Sequence, residues 1–188
     1  KKMIIEVIEK RRNIKEFTEE KISKDSIKYL LNAAIWAPNH RKTEPWRFIV
    51  IPKDSKMRIK LANHIHDWNY KNASSKDENA KKEIAKKEKV KILNAPALIY
   101  VYYVEDSDPE VDKENYSAVS CAIQNLMLAA QEIGIGVGWS TGKVCKAKVE
   151  TLIGAEPDWE IAGALFLGKP KNQTQGKRRP INECTIWH

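Results

Sequence analysis

Residue types able to do chemistry fall in a few short stretches of this sequence. Gly134-Ile135-Gly136-Val137-Gly138 has the close glycines that let a backbone approach a pyrophosphate. Trp139, however, stands where G-x-G-x-x-G needs its last glycine, and the stretch follows a helix pattern rather than a strand. Ser140-Thr141-Gly142-Lys143 ends like a phosphate loop, yet Val137 replaces the first glycine and Val144 the Ser or Thr. Both standard nucleotide motifs are therefore absent. His64 and His66 invite a metal, but alternate helical residues point to different faces and no Cys or carboxylate pair completes a ligand set. Cys121, Cys145 and Cys184 are odd in number and lack a C-x-x-C pair, a poor disulfide framework that points to a reducing compartment. What remains is cationic: Arg11-Arg12 with Asn13 and Lys15 near one end, and Lys177-Arg178-Arg179 near the other. Cations at a helix end sit well against its dipole, and a basic tail is commonly solvated. Asn13 and Lys15 extend the first cluster past the helix end, where a dipole has no use for them.

The elements that must position these groups are legible from punctuation and periodicity. Met3 to Glu9 carries Ile4, Ile5, Val7 and Ile8, a short amphipathic helix stopping near Arg11. Ser23 caps the next helix, with Ile22 and Ile27 spaced as a hydrophobic staple and Ile27, Leu30, Leu31, Ala34 and Ile35 as one apolar stripe. That helix breaks at Ala37-Pro38 and crosses a polar loop. The chain then leaves through Pro45-Trp46 into the strand Phe48 to Ile51, because residues before proline are pushed from the helical region. The loop's backbone groups must find partners outside their own segment. A helix is expected over Met57 to Ile65, a solvated charged helix over Lys71 to Lys91, and a strand apolar on both faces, hence central, over Ala97 to Val104. The helix from about Glu114 to Ile133 is so nearly apolar that it reads as buried all round, either as the central helix or as half of a dimer seam, with Gly134 as its left-handed cap. A short strand Val137 to Trp139, a helix Lys146 to Ile153 closed by Gly154, and a strand Glu160 to Leu167 complete the pattern.

A chain of 188 residues suits one domain, here residues 1–188, able to bury a core without staples. Neither a long apolar run nor the order of a signal peptide occurs, so the expectation is a cytoplasmic protein that neither spans nor associates with a membrane. A net charge of +8 raises the question of nucleic acid. Much of the excess lies in Lys71 to Lys91, where Asp77, Glu78, Glu83 and Glu88 are interspersed as on a solvent face, and basic and aromatic residues are not interleaved anywhere as nucleic-acid binding requires. No nucleic-acid partner is expected.

Pro38-Asn39-His40 followed by Glu44-Pro45-Trp46 and the strand Arg47 to Ile51 resembles the signature of the FMN-dependent nitroreductase family, usually a polar loop, Gln-Pro-Trp and a strand, with Glu44 in place of the Gln. Arg11-Arg12-Asn13-Ile14-Lys15-Glu16-Phe17 is similar to the family's Arg-Arg-Ser-x-Arg-x-Phe, with Asn13 and Lys15 as substitutions. The resemblance implies an α+β fold with a mostly antiparallel central sheet flanked by helices. It further implies a homodimer with FMN at the interface, in a compact member whose middle segment, residues 65–91, is short. NADH or NADPH would donate hydride to FMN, and a small-molecule acceptor such as a nitroaromatic or quinone would remove it in ping-pong turnover, without a protein nucleophile. By the same resemblance Arg11, Asn13 and Arg178 take the phosphate, with Arg12 and Lys177 close by, since fork-shaped donors suit a phosphate. Lys15, helped by Lys91, supplies positive charge where the reduced ring gathers negative charge. Pro38, Asn39 and His40 reach the flavin of the partner subunit, His40 being otherwise a structural histidine, and the loop Trp139, Ser140, Thr141 and Gly142 lies against the ring. The alternatives are a non-catalytic flavin carrier, yellow but not bleached by NAD(P)H, and a basic nucleic-acid module, colourless and steeply salt-dependent.

Overall fold

The structure is a computed structural model and describes residues 4–188. Met3, at the start of the first expected helix, lies outside the described residues. The elements in chain order are α1 (Ile4–Lys10), α2 (Lys24–Ala34), β1 (Trp46–Pro52), α3 (Lys56–Lys71), α4 (Glu78–Asn94), β2 (Ala97–Val104), α5 (Pro109–Glu132), β3 (Gly136–Ser140), α6 (Lys143–Lys146), α7 (Glu150–Ile153) and β4 (Trp159–Gly168).

One four-stranded sheet runs β1-β2-β4-β3 with every pairing antiparallel. β2 is central, as its two-faced apolar pattern predicts. Ala97, Ile99 and Val101 enter a core with α2 and α5, while Leu98, Tyr100 and Tyr102 enter the core on the opposite face with α3 and α4. The period of two thus divides one strand between two helical layers. β4 carries one residue too many for its partner: Gly163 faces Val101 and Ile161 faces Tyr102, so Ala162 is left over as a bulge. Bulges re-aim the groups beside them, and this one presents the Ala162 carbonyl to the Trp139 indole, whose Nε1 donates to it at 3.1 Å.

Four expected helices differ from the sequence pattern. α3 continues past Ile65 to Lys71 because Trp68 and Asn69 keep its inner face covered. Residues 72–77 then turn the chain into α4, capped by Asp77, so the middle segment is a pair of packed helices. α5 starts at Pro109, where Asp108 accepts from the Glu110 amide at 2.9 Å. Its first turn is acidic rather than apolar and so shows no hydrophobic period. α5 is also not buried all round. Asn115, Ala118, Val119, Ala122, Ile123, Leu126, Met127 and Ala130 form the covered face, whereas Tyr116, Ser117 and Cys121 are exposed in the single chain. The expected helix Lys146 to Ile153 is two separate turns, α6 and α7, since Lys148 adopts a left-handed backbone with φ 50°. Gly134 and Gly154 take the expected left-handed conformations. His64 Nε2 donates to the Ala147 carbonyl at 2.7 Å, tying α3 to the segment between those turns.

Candidate active site

The two cationic clusters from opposite ends of the sequence meet. Residues 13–18 run beside the edge strand β3 and the exit of β4. The Ile14 amide donates to Val137 at 3.0 Å, the Thr18 amide to Lys169 at 2.9 Å, and the Lys171 amide to Glu16 at 3.1 Å. Asn13 pairs in parallel with Val137 and Phe17 antiparallel with Pro170. This segment carries Arg11 and Arg12 on one side and draws the C-terminal tail along the other. The Arg12 guanidinium donates to the Thr174 carbonyl at 3.0 Å and to the Glu9 carbonyl at 2.6 Å, and the tail backbone at Gly176 lies so close that a Cβ there would strike the guanidinium. Arg12 is thus a strap between tail and helix end. Arg11 has no ion-pair partner among the described residues. Its pKa is lowered by partial burial and then by the like charges of Arg178 and Arg12. Like charges gathered without a carboxylate favour a bound anion.

Asn13 joins this cluster to the loop after β3, since its Oδ1 accepts the Trp139 amide at 2.6 Å. The loop itself is pinned at Ser140, whose Oγ accepts from the Gly142 amide at 3.3 Å and whose carbonyl accepts from Cys145 Sγ at 3.1 Å. Burial pushes the Cys145 thiol up to about 12, so at neutral pH it is a protonated donor and not a nucleophile. Thr141 and Gly142 are exposed. Two glycines permit the close packing that the junction needs: a Cβ at Gly163 would fall on the Trp139 indole, and one at Gly138 on the carbonyl oxygen of Ile14. Gly138→Ala is expected to force residues 13–18 off β3, costing on the order of 2 kcal/mol, as overpacking against backbone does. A thermal melt lowered by roughly 5 °C checks this; an unchanged melting temperature contradicts it.

Lys15 and Lys177 are exposed and have no ion-pair partner among the described residues. Lys91 is engaged on its own helix with the buried Glu88 at 2.8 Å, and no hydrogen bond or ion pair among the described residues joins it to the arginines. Pro38, Asn39 and His40 line a second region, a cleft of about 440 Å³ whose other wall is the amino-terminal half of α5. There His40 Nδ1 lies 3.0 Å from Glu114 Oε1, and Arg41 Nε donates to Glu114 Oε2 at 3.0 Å. Glu114 and its neighbour Asn115 are functional candidates that the sequence does not reveal, because nothing in the spacing of α5 marks them as facing a loop some seventy positions earlier.

The sequence model described as Nitroreductase family matches residues 8–169. A Bacillus subtilis protein, YfhC, which carries the name NAD(P)H nitroreductase, is 31% identical over 180 residues, covering 95% of this chain and 90% of that one. Iodotyrosine deiodinase of Hydra vulgaris is 28% identical over 189 residues, covering 94% of this chain and 69% of that one. The crystal structure of a nitroreductase-like family protein from Bacillus cereus aligns with a TM-score of 0.86 at 32% identity, over 100% of this chain and 97% of that one. A Desulfovibrio desulfuricans nitroreductase structure in complex with FMN shares the fold, with a TM-score of 0.75 at 24% identity over 100% of this chain and 98% of that one. The sheet order, the crossing of the two cationic ends and a family match running from residue 8 to residue 169 agree: the chain belongs to the nitroreductase family.

Proposed function

We propose that the chain is an FMN-dependent NAD(P)H oxidoreductase acting as a homodimer, with nitroaromatics, quinones or related compounds as acceptors. The observation that carries this reading is the meeting of Arg11, Arg12 and Arg178, with no ion pair to a carboxylate among the described residues. The residues fit the group. Arg11 and Arg178 are forks with donors to spare for a phosphate, Arg12 holds the tail that delivers Arg178, and Asn13 fixes the Trp139–Gly142 loop where a flat ring needs backbone contact. When bound, FMN supplies two-electron chemistry, taking hydride from NAD(P)H and giving it up to an acceptor in the same space. Lys15 would supply positive charge to the reduced ring, and Thr141 and Gly142 would meet the ring from the loop after β3.

A second subunit is supported by what one chain leaves bare. Trp36 is 85% exposed and Trp187 89%, and the outer face of α5 is open beside the cleft at His40. Aromatic side chains of this kind are enriched at subunit interfaces. The test is an absorbance spectrum of the FMN-reconstituted protein before and after anaerobic NADH or NADPH. A flavin band that bleaches and returns on adding a quinone is expected; a band that NAD(P)H leaves untouched indicates a carrier, and a protein that takes up no FMN overturns the reading.

A further inference from the structure

The loop 39–43 has a conformation that its own residues do not explain. Arg41, Lys42 and Glu44 all lie in the left-handed region, with φ of 59°, 54° and 45°, and none is a glycine or an asparagine. Such backbone persists only where the surroundings hold it. Two consecutive residues of α5 do so. Glu114 takes His40 on one carboxylate oxygen and Arg41 on the other, while Asn115, 4% exposed, accepts from Thr43 Oγ1 at 2.7 Å and donates to the Val104 carbonyl at 3.0 Å. The loop is thereby clamped at both ends to the helix and to the end of β2. The hydrogen bond from Arg41 holds the Glu114 carboxyl below the usual carboxylate range. An ionised carboxylate only accepts, so His40 Nδ1 carries the proton shared with Glu114. Pro38, Asn39 and His40 then form one wall of the 440 Å³ cleft, and Glu114, Ser117 and Cys121 belong to the other.

We propose that Glu114 is a positioning residue for the hydride-transfer site: by gripping His40 and Arg41 it fixes the 39–43 loop, and with it the wall against which the nicotinamide or the acceptor lies. The kinetic part rests on the flavin reading above, with Pro38, Asn39 and His40 meeting the flavin of the second subunit as the family resemblance implies, whereas the grip on the loop does not. In this role Glu114 works through His40 and Arg41, whose positions its two carboxylate oxygens set. Its removal therefore affects how well the reactants are held before it affects the electron capacity of the flavin.

Arg41 and Lys42 are themselves trypsin sites, so the loop carries its own reporter. FMN-loaded wild type and Glu114→Ala are compared for the rate of tryptic nicking at these two bonds, for FMN bound per subunit, and for steady-state turnover with NADH and a nitroaromatic or quinone. Nicking is expected to accelerate roughly tenfold as the loop opens locally. FMN content stays at the wild-type level, and KM rises roughly tenfold with kcat within about threefold of wild type. Glu114→Gln keeps an acceptor for His40 but loses the charge opposite Arg41. It should fall between the two, and it carries the test if the alanine variant does not fold. Equal nicking rates overturn the grip; faster nicking with unaltered KM and kcat overturns the link to the reaction. A wild-type protein that binds no FMN overturns the flavin reading and the kinetic half with it, while the nicking comparison still decides the grip.

Discussion

Arg11→Ala should lose FMN and keep its fold. Hydrogen bonds to a charged group contribute about 1.5–3 kcal/mol each, so removing one fork from a phosphate is expected to weaken FMN binding roughly 10- to 100-fold. The apoprotein should not suffer. Arg11 has its pKa lowered by burial and by the like charges of Arg178 and Arg12, which means that its charge opposes folding at neutral pH, where it is protonated in both states. Taking that charge away leaves the apo melting temperature unchanged or slightly higher, while the increase on adding FMN shrinks. Arg12→Ala separates the two roles within the cluster. Its donors go to the Thr174 and Glu9 carbonyls, so its loss frees the tail, lowers apo stability and weakens FMN binding through displacement of Arg178. The measurements are FMN titration by fluorescence quenching and paired melts with and without FMN, both repeated at high salt, where screening should weaken binding of the dianion. Unchanged FMN affinity in Arg11→Ala would remove it from the site.

The contrast between Arg11 and Arg12 also marks how far the sequence alone reaches. Ala97 to Val104 declares a central strand because two-sided burial leaves no polar position, and Ser23, Gly134 and Gly154 declare helix ends because caps have their own chemistry. The cationic residues are visible at both ends, and a family resemblance assigns them one purpose. Which arginine straps the tail and which stays free depends on carbonyls at Glu9 and Thr174, and a carbonyl looks the same at every position. α5 begins ahead of its apolar period for a similar reason: an acidic first turn behind Asp108 and Pro109 satisfies the helix electrostatically, without any hydrophobic spacing to announce it. The break at Lys148 goes against its type, since nothing about lysine predicts a left-handed backbone. Glu114 and Asn115 escape notice because what they hold is distant in sequence and strained in backbone. Neither property has a composition or a period.

Arg58→Met should be the most destabilising single change in the molecule outside the flavin site. Arg58 is 1% exposed, and its guanidinium donates to the carbonyls of Ile51 at 2.5 Å, Ile92 at 2.7 Å and Ala95 at 3.1 Å. One side chain on α3 therefore closes both the end of β1 and the end of α4, where the last carbonyls of a helix have no partners of their own. Burial pushes its pKa down to about 10, which leaves it charged at neutral pH with no carboxylate among the described residues in contact. The three carbonyls are what make that charge tolerable. Methionine keeps much of the length and fills the space, but it strands three buried acceptors. At about 1–3 kcal/mol for each group left unpaired, with some recovery by entering water, the expected loss is about 4 kcal/mol and the fall in melting temperature about 10 °C. Lysine restores a charge and part of the bonding, so Arg58→Lys should lose about half as much, by the same count of satisfied carbonyls. The position of these bonds predicts where the damage appears. Ala95 and Ile92 lead directly into Pro96 and β2, and Pro96 packs against Gly168 together with Phe17. Hydrogen exchange in Arg58→Met should therefore quicken at the end of α4 and the start of β2 before it does in α5, which packs on the other face of the sheet. Uniform quickening over the whole sheet, or a melting temperature within about 2 °C of wild type, would show that the three carbonyls find other donors and that Arg58 is not the clamp described here.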